Sequence, residues 1–335
     1  MLKKINQLKF YWETTDPFIF CVHHNDLYPS GNDIMGPDPA LLKGRSPGND
    51  FTPKDGWRMY HGHRIPGFPV HPHRGFETVT LVRAGFIDHS DSLGAAGRYG
   101  NGDVQWMTAG AGIQHCEMFP MINTDSDNHV ELFQIWLNLP ARNKMVDPHF
   151  DMLWADTIPE KDHKDENGAL TRLKVVAGNI DGAAAPPPAP NSWAADPSNE
   201  VGIFTILMEP GAKYVIPPAS EKVVRTIYYF RGDRVTIGGE ELAGGHSAQA
   251  TSHEPLAIIN GKEESEMLVL QAIPIGEPAV QYGPFVMNSE EEIRQAFVDY
   301  RATEFGGWPW PERDNVHPRN SGRFAKHADG RIEER

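Results

Sequence analysis

The sequence predicts an all-β protein made of two successive β domains of similar size, followed by one helix. Three observations carry this reading. The chain has 335 residues, too many for one average domain and suited to two. Gly and Pro are abundant, at 32 and 28 residues, and they punctuate many short apolar runs. Those runs fall in two regions, 75–139 and 200–275, with a low-complexity stretch between them.

Taken in order, residues 10–35 read as short strands followed by a turn-rich loop, HHNDLYPSGNDIMGPDP. FETVTLVRAGFIDHSDSLG reads as a hairpin, two β-rich runs around Arg83-Ala84-Gly85. GDVQWMTAGAGIQHCEMFP repeats the habit with glycine corners. HVELFQIWLNLP is a strand with Leu132, Ile135 and Leu137 as buried candidates, stopped by Pro140. A boundary near 140–146 then gives a first domain over 1–142 and a second over 143–287.

The second domain opens with LTRLKVVAGNI, a strand and turn. An insertion follows, DGAAAPPPAPNSWAADPSNE, whose proline run is expected to be extended and semi-rigid. Strands resume at VGIFTILMEPGAKYVIP, VVRTIYYFRGDRVTIGG and EPLAIINGKEESEMLVLQAIP, with the spacing of a small barrel or sandwich. The one predicted helix is NSEEEIRQAFVDYRATEF. Ser289 or Asn288 can cap it, the acidic run 290–292 suits its positive end, and Ile293, Phe297 and Tyr300 form an apolar stripe. Helix and tail make a third segment, 288–335. The basic tail is expected either to lie over the β domains through Trp308, Trp310 and Phe324 or to be partly disordered.

The net charge of −14 argues against a general nucleic-acid surface, since phosphate binding needs a dense positive face. A basic protein partner stays compatible with it. With only Cys21 and Cys116, no disulfide framework is implied. Residues 5–20 carry Asn6, Gln7, Lys9, Glu13 and Asp16, so no signal-peptide core is expected, and no apolar run approaches the roughly 18 residues of a membrane helix. The expected location is a reducing cytoplasm.

The chemistry lies in two short pairs about forty residues apart, His71-Pro72-His73 and His115-Cys116-Glu117. In a strand, residues i and i+2 share a face. His71 and His73 therefore aim one way, and so do His115 and Glu117. Two strands meeting across a barrel can bring all four to one point. Three imidazoles and a carboxylate suit Fe(II), Mn(II), Ni(II), Cu(II) or Zn(II). Cys116 has the opposite parity and should point into packing. Glu77 shares the parity of His71 and His73 if the strand runs unbroken, and is expected to support an imidazole N–H rather than to ligate. Arg74 reads as structural, pairing with a carboxylate. His61-Gly62-His63 reads as loop histidines, and between residues 200 and 275 only His246 and His253 occur, so a second metal site is not expected.

HPHRGFETVT followed by GDVQWMTAGAGIQHCEM closely resembles the pirin family of the cupin superfamily, as do ELFQIWLNLP, LKVVAG and GPFVMNSEEEIRQAFVDYRATEFG. The resemblance spans roughly residues 17–305. It implies two tandem antiparallel, jelly-roll-like cupin barrels, with iron in the first only. Its ligands, carried onto this chain, are His71, His73, His115 and Glu117, the set already chosen by parity. It implies quercetin 2,3-dioxygenase activity, in which dioxygen opens a flavonol ring and carbon monoxide leaves. Glu117 would serve as both ligand and catalytic base for the flavonol 3-hydroxyl. Phe76, Trp106, Met107 and Phe133 are candidates to hold the flat rings. The alternative it implies is an iron-dependent, redox-sensing regulator that binds a protein partner.

Overall fold

The computed structural model describes residues 2–335. Its named strand pairs are antiparallel, and a single α-helix, Glu290–Thr303, occurs among the described residues. Two compact units form. The smaller contains the residues up to Val22 together with Ile135–Pro140 and Asp156–Gly276; the larger contains His23–Gln134, Ala141–Ala155 and Glu277–Arg335.

These units are not consecutive, unlike the expected segments 1–142, 143–287 and 288–335. The reason is strand pairing at the chain's two ends. Leu2–Gln7 pairs with His246–Ala250, which places the first strand in the smaller unit. Phe324–Lys326 pairs with Ala96–Gly100, which places the tail in the larger one. Residues 141–155 join the larger unit in part through Lys144, whose Nζ donates to the carbonyls of Gly75 and Val286 at 2.8 and 3.0 Å.

In the smaller unit one sheet runs Leu2–Gln7, His246–Ala250, Val224–Arg231, Ser265–Ala272, Gly202–Met208, Leu170–Ala177, Glu160–Lys164. The other runs Lys213–Ile216, Leu256–Asn260, Arg234–Ile237, Glu240–Ala243. Alternate residues point inward, as the period of two requires: Phe204, Ile206 and Met208 from one strand meet Ile227, Tyr229, Met267 and Val269 from others. The insertion is ordered, with short 3-10 turns at Trp193–Ala195 and Pro197–Asn199 capped by Ser192 and Asp196.

In the larger unit one sheet runs Gly67–His73, Ile113–Met118, Phe86–Asp91, Ala96–Gly100, Phe324–Lys326, Ile332–Glu334. The other runs His149–Leu153, Val104–Thr108, Phe76–Ala84 and then the long strands Asn128–Asn138 and Phe18–Tyr28, of which residues 128–134 and 23–28 belong to this unit. This corrects the expected hairpin around Arg83-Ala84-Gly85. Phe76–Ala84 and Phe86–Asp91 lie in different sheets, because the chain turns between them at Gly85 (φ +74°), where a Cβ would stand 2.3 Å from the His129 carbonyl.

The helix follows its predicted form. Ser289 Oγ accepts from Glu292 N at 3.3 Å, and Ile293 and Ala296 bury against Phe285, Met287 and Phe305 with Phe297 and Tyr300 alongside. The tail is ordered. Buried Arg98 holds Asp88 through Nε and Nη2, both at 2.7 Å. It also donates to the carbonyls of His317, Pro318, Arg319 and Ser321. Trp310 Nε1 adds a bond to the Asp91 carbonyl at 2.8 Å.

Candidate metal centre

The strands Gly67–His73 and Ile113–Met118 pair so that His71 stands opposite His115 and His73 opposite Ile113. Directly opposed residues share a face, so this register brings the two halves of the sequence pattern together. One ring nitrogen from each of His71, His73 and His115 lies within 4.8 Å of the other two. The ring centroids are 4.5 Å apart for His71 and His115, 5.0 Å for His73 and His115, and 4.8 Å for His71 and His73. Among the described residues this is the group of His, Cys, Asp and Glu side chains spaced to hold a metal ion.

Two of the imidazoles are oriented by carbonyls. His71 Nδ1 meets the Pro69 carbonyl at 2.9 Å and His73 Nδ1 the Pro284 carbonyl at 3.3 Å. A carbonyl accepts only, so both rings carry their proton on Nδ1 and present Nε2 as a lone pair. Burial pushes the His71 pKa down to about 4 and those of His73 and His115 well below the usual range, which keeps all three neutral and competent as ligands.

His115 supplies the fit test. It is fully buried, yet neither Nδ1 nor Nε2 has a hydrogen-bond partner. Buried polar atoms are nearly always satisfied, and an orphan costs about 1–3 kcal/mol. A cation at the centre of the three rings would satisfy one of the two nitrogens, so the donor set fits a divalent metal.

Glu117 lies beside the triad rather than within it. Its Oε2 is 3.8 Å from His115 Nε2. Its oxygens accept from Thr80 Oγ1 at 3.2 Å and Gln134 Nε2 at 3.1 Å. Burial raises its pKa, and those two donors partly offset the rise. Glu77 sits elsewhere. The chain turns between Gly67–His73 and Phe76–Ala84 at Gly75 (φ +85°), so the parity argument does not carry across. Glu77 Oε1 accepts from Thr108 Oγ1 at 2.7 Å. Arg74 pairs with Asp299 at 2.7 Å. Cys116 packs with Ile65 and Met118, and burial raises its thiol pKa.

The candidate ring-holding residues divide by face. Phe76 lies 5.0 Å from His73 between centroids. Met107 opposes Thr78 and Gln105 opposes Thr80, so Met107 shares the face of Thr80, which touches Glu117; Trp106 opposes Val79 on the other face. Phe133, next to Gln134, turns away and stacks on His23 at 4.7 Å. Thr80, Gln134, His89 and Asp91 are the neighbours that sequence reasoning missed. His89 opposes Glu117 and Asp91 opposes His115. His89 Nε2 meets Asp91 Oδ2 at 3.1 Å, and its ring is 5.5 Å from His115. His89-Ser90-Asp91 has the same i, i+2 spacing as the other pairs, a signal that was there to be read.

Comparison with known proteins agrees with this geometry. The pirin family model matches residues 48–137, and the model of the pirin C-terminal cupin domain matches residues 203–306. A Vibrio cholerae protein named "Putative quercetin 2,3-dioxygenase" is 35% identical over 251 residues, covering 72% of this chain and 80% of its own. Human pirin is 34% identical over 260 residues, covering 74% and 80%. The crystal structure of a quercetin 2,3-dioxygenase from Acinetobacter baumannii matches with a TM-score of 0.70 at 26% identity, over 91% of this chain and 98% of that one. The fold is therefore cupin-type and two-domain, with a three-histidine cluster of the kind that holds a metal. The chain belongs to the pirin family.

Proposed function

We propose that His71, His73 and His115, with Glu117 beside them, hold one divalent metal, iron first among the ions this set accepts (Mn, Ni, Cu and Zn follow), and that the protein is a dioxygenase opening flavonols such as quercetin with O2. The observation that carries the reading is His115, a fully buried imidazole with no hydrogen-bond partner on either nitrogen, in a cluster of three. The names of the Vibrio and Acinetobacter relatives support the substrate class.

Bound there, the metal supplies a Lewis-acidic, redox-active centre. The remaining chemistry belongs to the chain. His71 is the half-buried member of the triad, so approach is from its side. Glu117 takes the flavonol 3-hydroxyl proton on Oε2. Its raised pKa makes it a stronger base than an exposed carboxylate, and Thr80 and Gln134 hold it in place. Phe76 beside His73, and Met107 on the face of Thr80, supply apolar surface next to the cluster. A cytoplasmic location belongs to the same proposal; among the described residues no helix is long and apolar enough to cross a membrane.

The test is anaerobic reconstitution with Fe(II), then quercetin and air, following flavonol absorbance and carbon monoxide. Turnover is expected from the loaded protein and not from metal-free protein or His73→Ala. A loaded protein that leaves quercetin intact overturns the dioxygenase reading for that substrate.

A further inference from the structure

The smaller unit contains a cavity of about 470 Å³, within the range of small-molecule sites. Its walls are largely apolar, formed by the proline-rich insertion (Pro187, Ala194) and by Phe204 and Pro217. Arg225 and Gln271 also line it. They stand opposite each other on the paired strands Val224–Arg231 and Ser265–Ala272, on the face that continues into the core through Ile227, Tyr229 and Val269. Arg225 therefore enters from the interior side.

Arg225 is 1% exposed. Its Nε donates to Gln271 Oε1 at 2.8 Å and its Nη2 to the Pro217 carbonyl at 3.0 Å. Its Nη1 is buried with no hydrogen-bond partner. Both partners it does have are neutral. Buried guanidinium groups ordinarily meet a carboxylate in bidentate fashion. Burial pulls the Arg225 pKa down to about 10, which still leaves it charged at neutral pH. Glu200 also lines the cavity, with its Oε2 accepting from Ser220 N at 3.0 Å. One unpaired cation favours one negative charge, and the nearby Glu200 carboxylate disfavours a second.

We infer that this cavity binds a small monocarboxylate with a compact apolar body, its carboxylate on Arg225 Nη1 and its body against the proline-rich wall. The site does not depend on the metal centre.

The experiment is calorimetric titration of the full, chelator-treated chain with benzoate, hexanoate and 3-phenylpropionate, each against its neutral amide, and with inorganic phosphate. At least one carboxylate is expected to bind saturably at one per chain, with its amide and phosphate at least about tenfold weaker. Arg225→Gln weakens it by about tenfold or more. Ala194→Trp does the same by filling the cavity while leaving Arg225 in place. His115→Ala leaves affinity unchanged, which separates this site from the histidine cluster. If Arg225→Gln fails to fold, Ala194→Trp and the amide comparison decide. The inference is overturned if no carboxylate binds at millimolar concentration, if acid and amide bind alike, if neither cavity variant changes affinity, or if His115→Ala abolishes binding.

Discussion

His71 and His115 face each other across one antiparallel strand pair, their ring centroids 4.5 Å apart, although 44 positions separate them in the sequence (115 − 71). His71 is steadied by the Pro69 carbonyl, while His115 has no hydrogen-bond partner of its own. The pair thus divides into a pre-oriented ligand and one that a metal would complete. The first prediction follows. Fe(II)-reconstituted protein should carry about one metal per chain by elemental analysis, and His115→Ala close to none. Metal at about a hundred times its Kd should raise unfolding stability by about 2.7 kcal/mol. Metal content unchanged in His115→Ala would refute the centre.

Glu117 is expected to matter more for turnover than for metal retention, because its oxygens already have Thr80 and Gln134 as donors. Glu117→Gln should lower kcat by about 10²–10⁴-fold, the usual contribution of a general base. It should keep more metal than His115→Ala does. Paired metal analysis and flavonol assays decide between base and ligand: equal metal loss in both variants would make Glu117 chiefly a ligand.

The metal-free protein should weaken in acid. His71 has its pKa lowered by burial to about 4, against about 6.5 when unfolded. The unfolded chain then binds more protons in that window, so stability is present above pH ~6.5 and is lost as pH falls toward about 4. His73 and His115 shift in the same direction. Urea midpoints measured across this window should fall with pH, and His71→Gln should flatten the slope. Identical slopes for the two proteins would show that His71 titrates normally.

Arg98 pairs with buried Asp88 and gathers four carbonyls of the tail. Arg98→Met leaves the buried Asp88 carboxylate without its cation, with only the His317 N–H still donating to it, and breaking a buried ion pair in this way typically costs about 3–5 kcal/mol. Urea denaturation should show that loss, and limited proteolysis should open the tail beyond residue 308 before the rest. A tail that resists protease as in the parent would argue against the clamp.

The site was legible where its chemistry repeats at strand spacing. His71-x-His73 and His115-x-Glu117 announce shared faces, and the pairing register then joins them. His89-x-Asp91 has the same spacing and went unread. Its place depends on Phe86–Asp91 pairing with Ile113–Met118, a partnership between strands that are not consecutive. Gln134 is one polar residue in an apolar run, and nothing local marks it as the donor to Glu117. Gly85 looked like a hairpin turn because a positive-φ glycine serves equally well where a chain leaves one sheet for another. The helix was legible because its cap and stripe are local. Leu2–Gln7 was not, because its partner strand begins at His246.

Two long-range strand pairings therefore constrain the order in which the fold can form. Leu2–Gln7 is made long before His246–Ala250, and it must wait for that strand to emerge before it has a ladder partner. The sheet carrying the histidines has a similar long-range partner, since Ala96–Gly100 receives Phe324–Lys326 from far along the chain. The smaller unit has all its residues once Gly276 is made, whereas the larger one still needs Glu277–Arg335. A nascent chain must therefore keep its early strands soluble until their distant partners arrive.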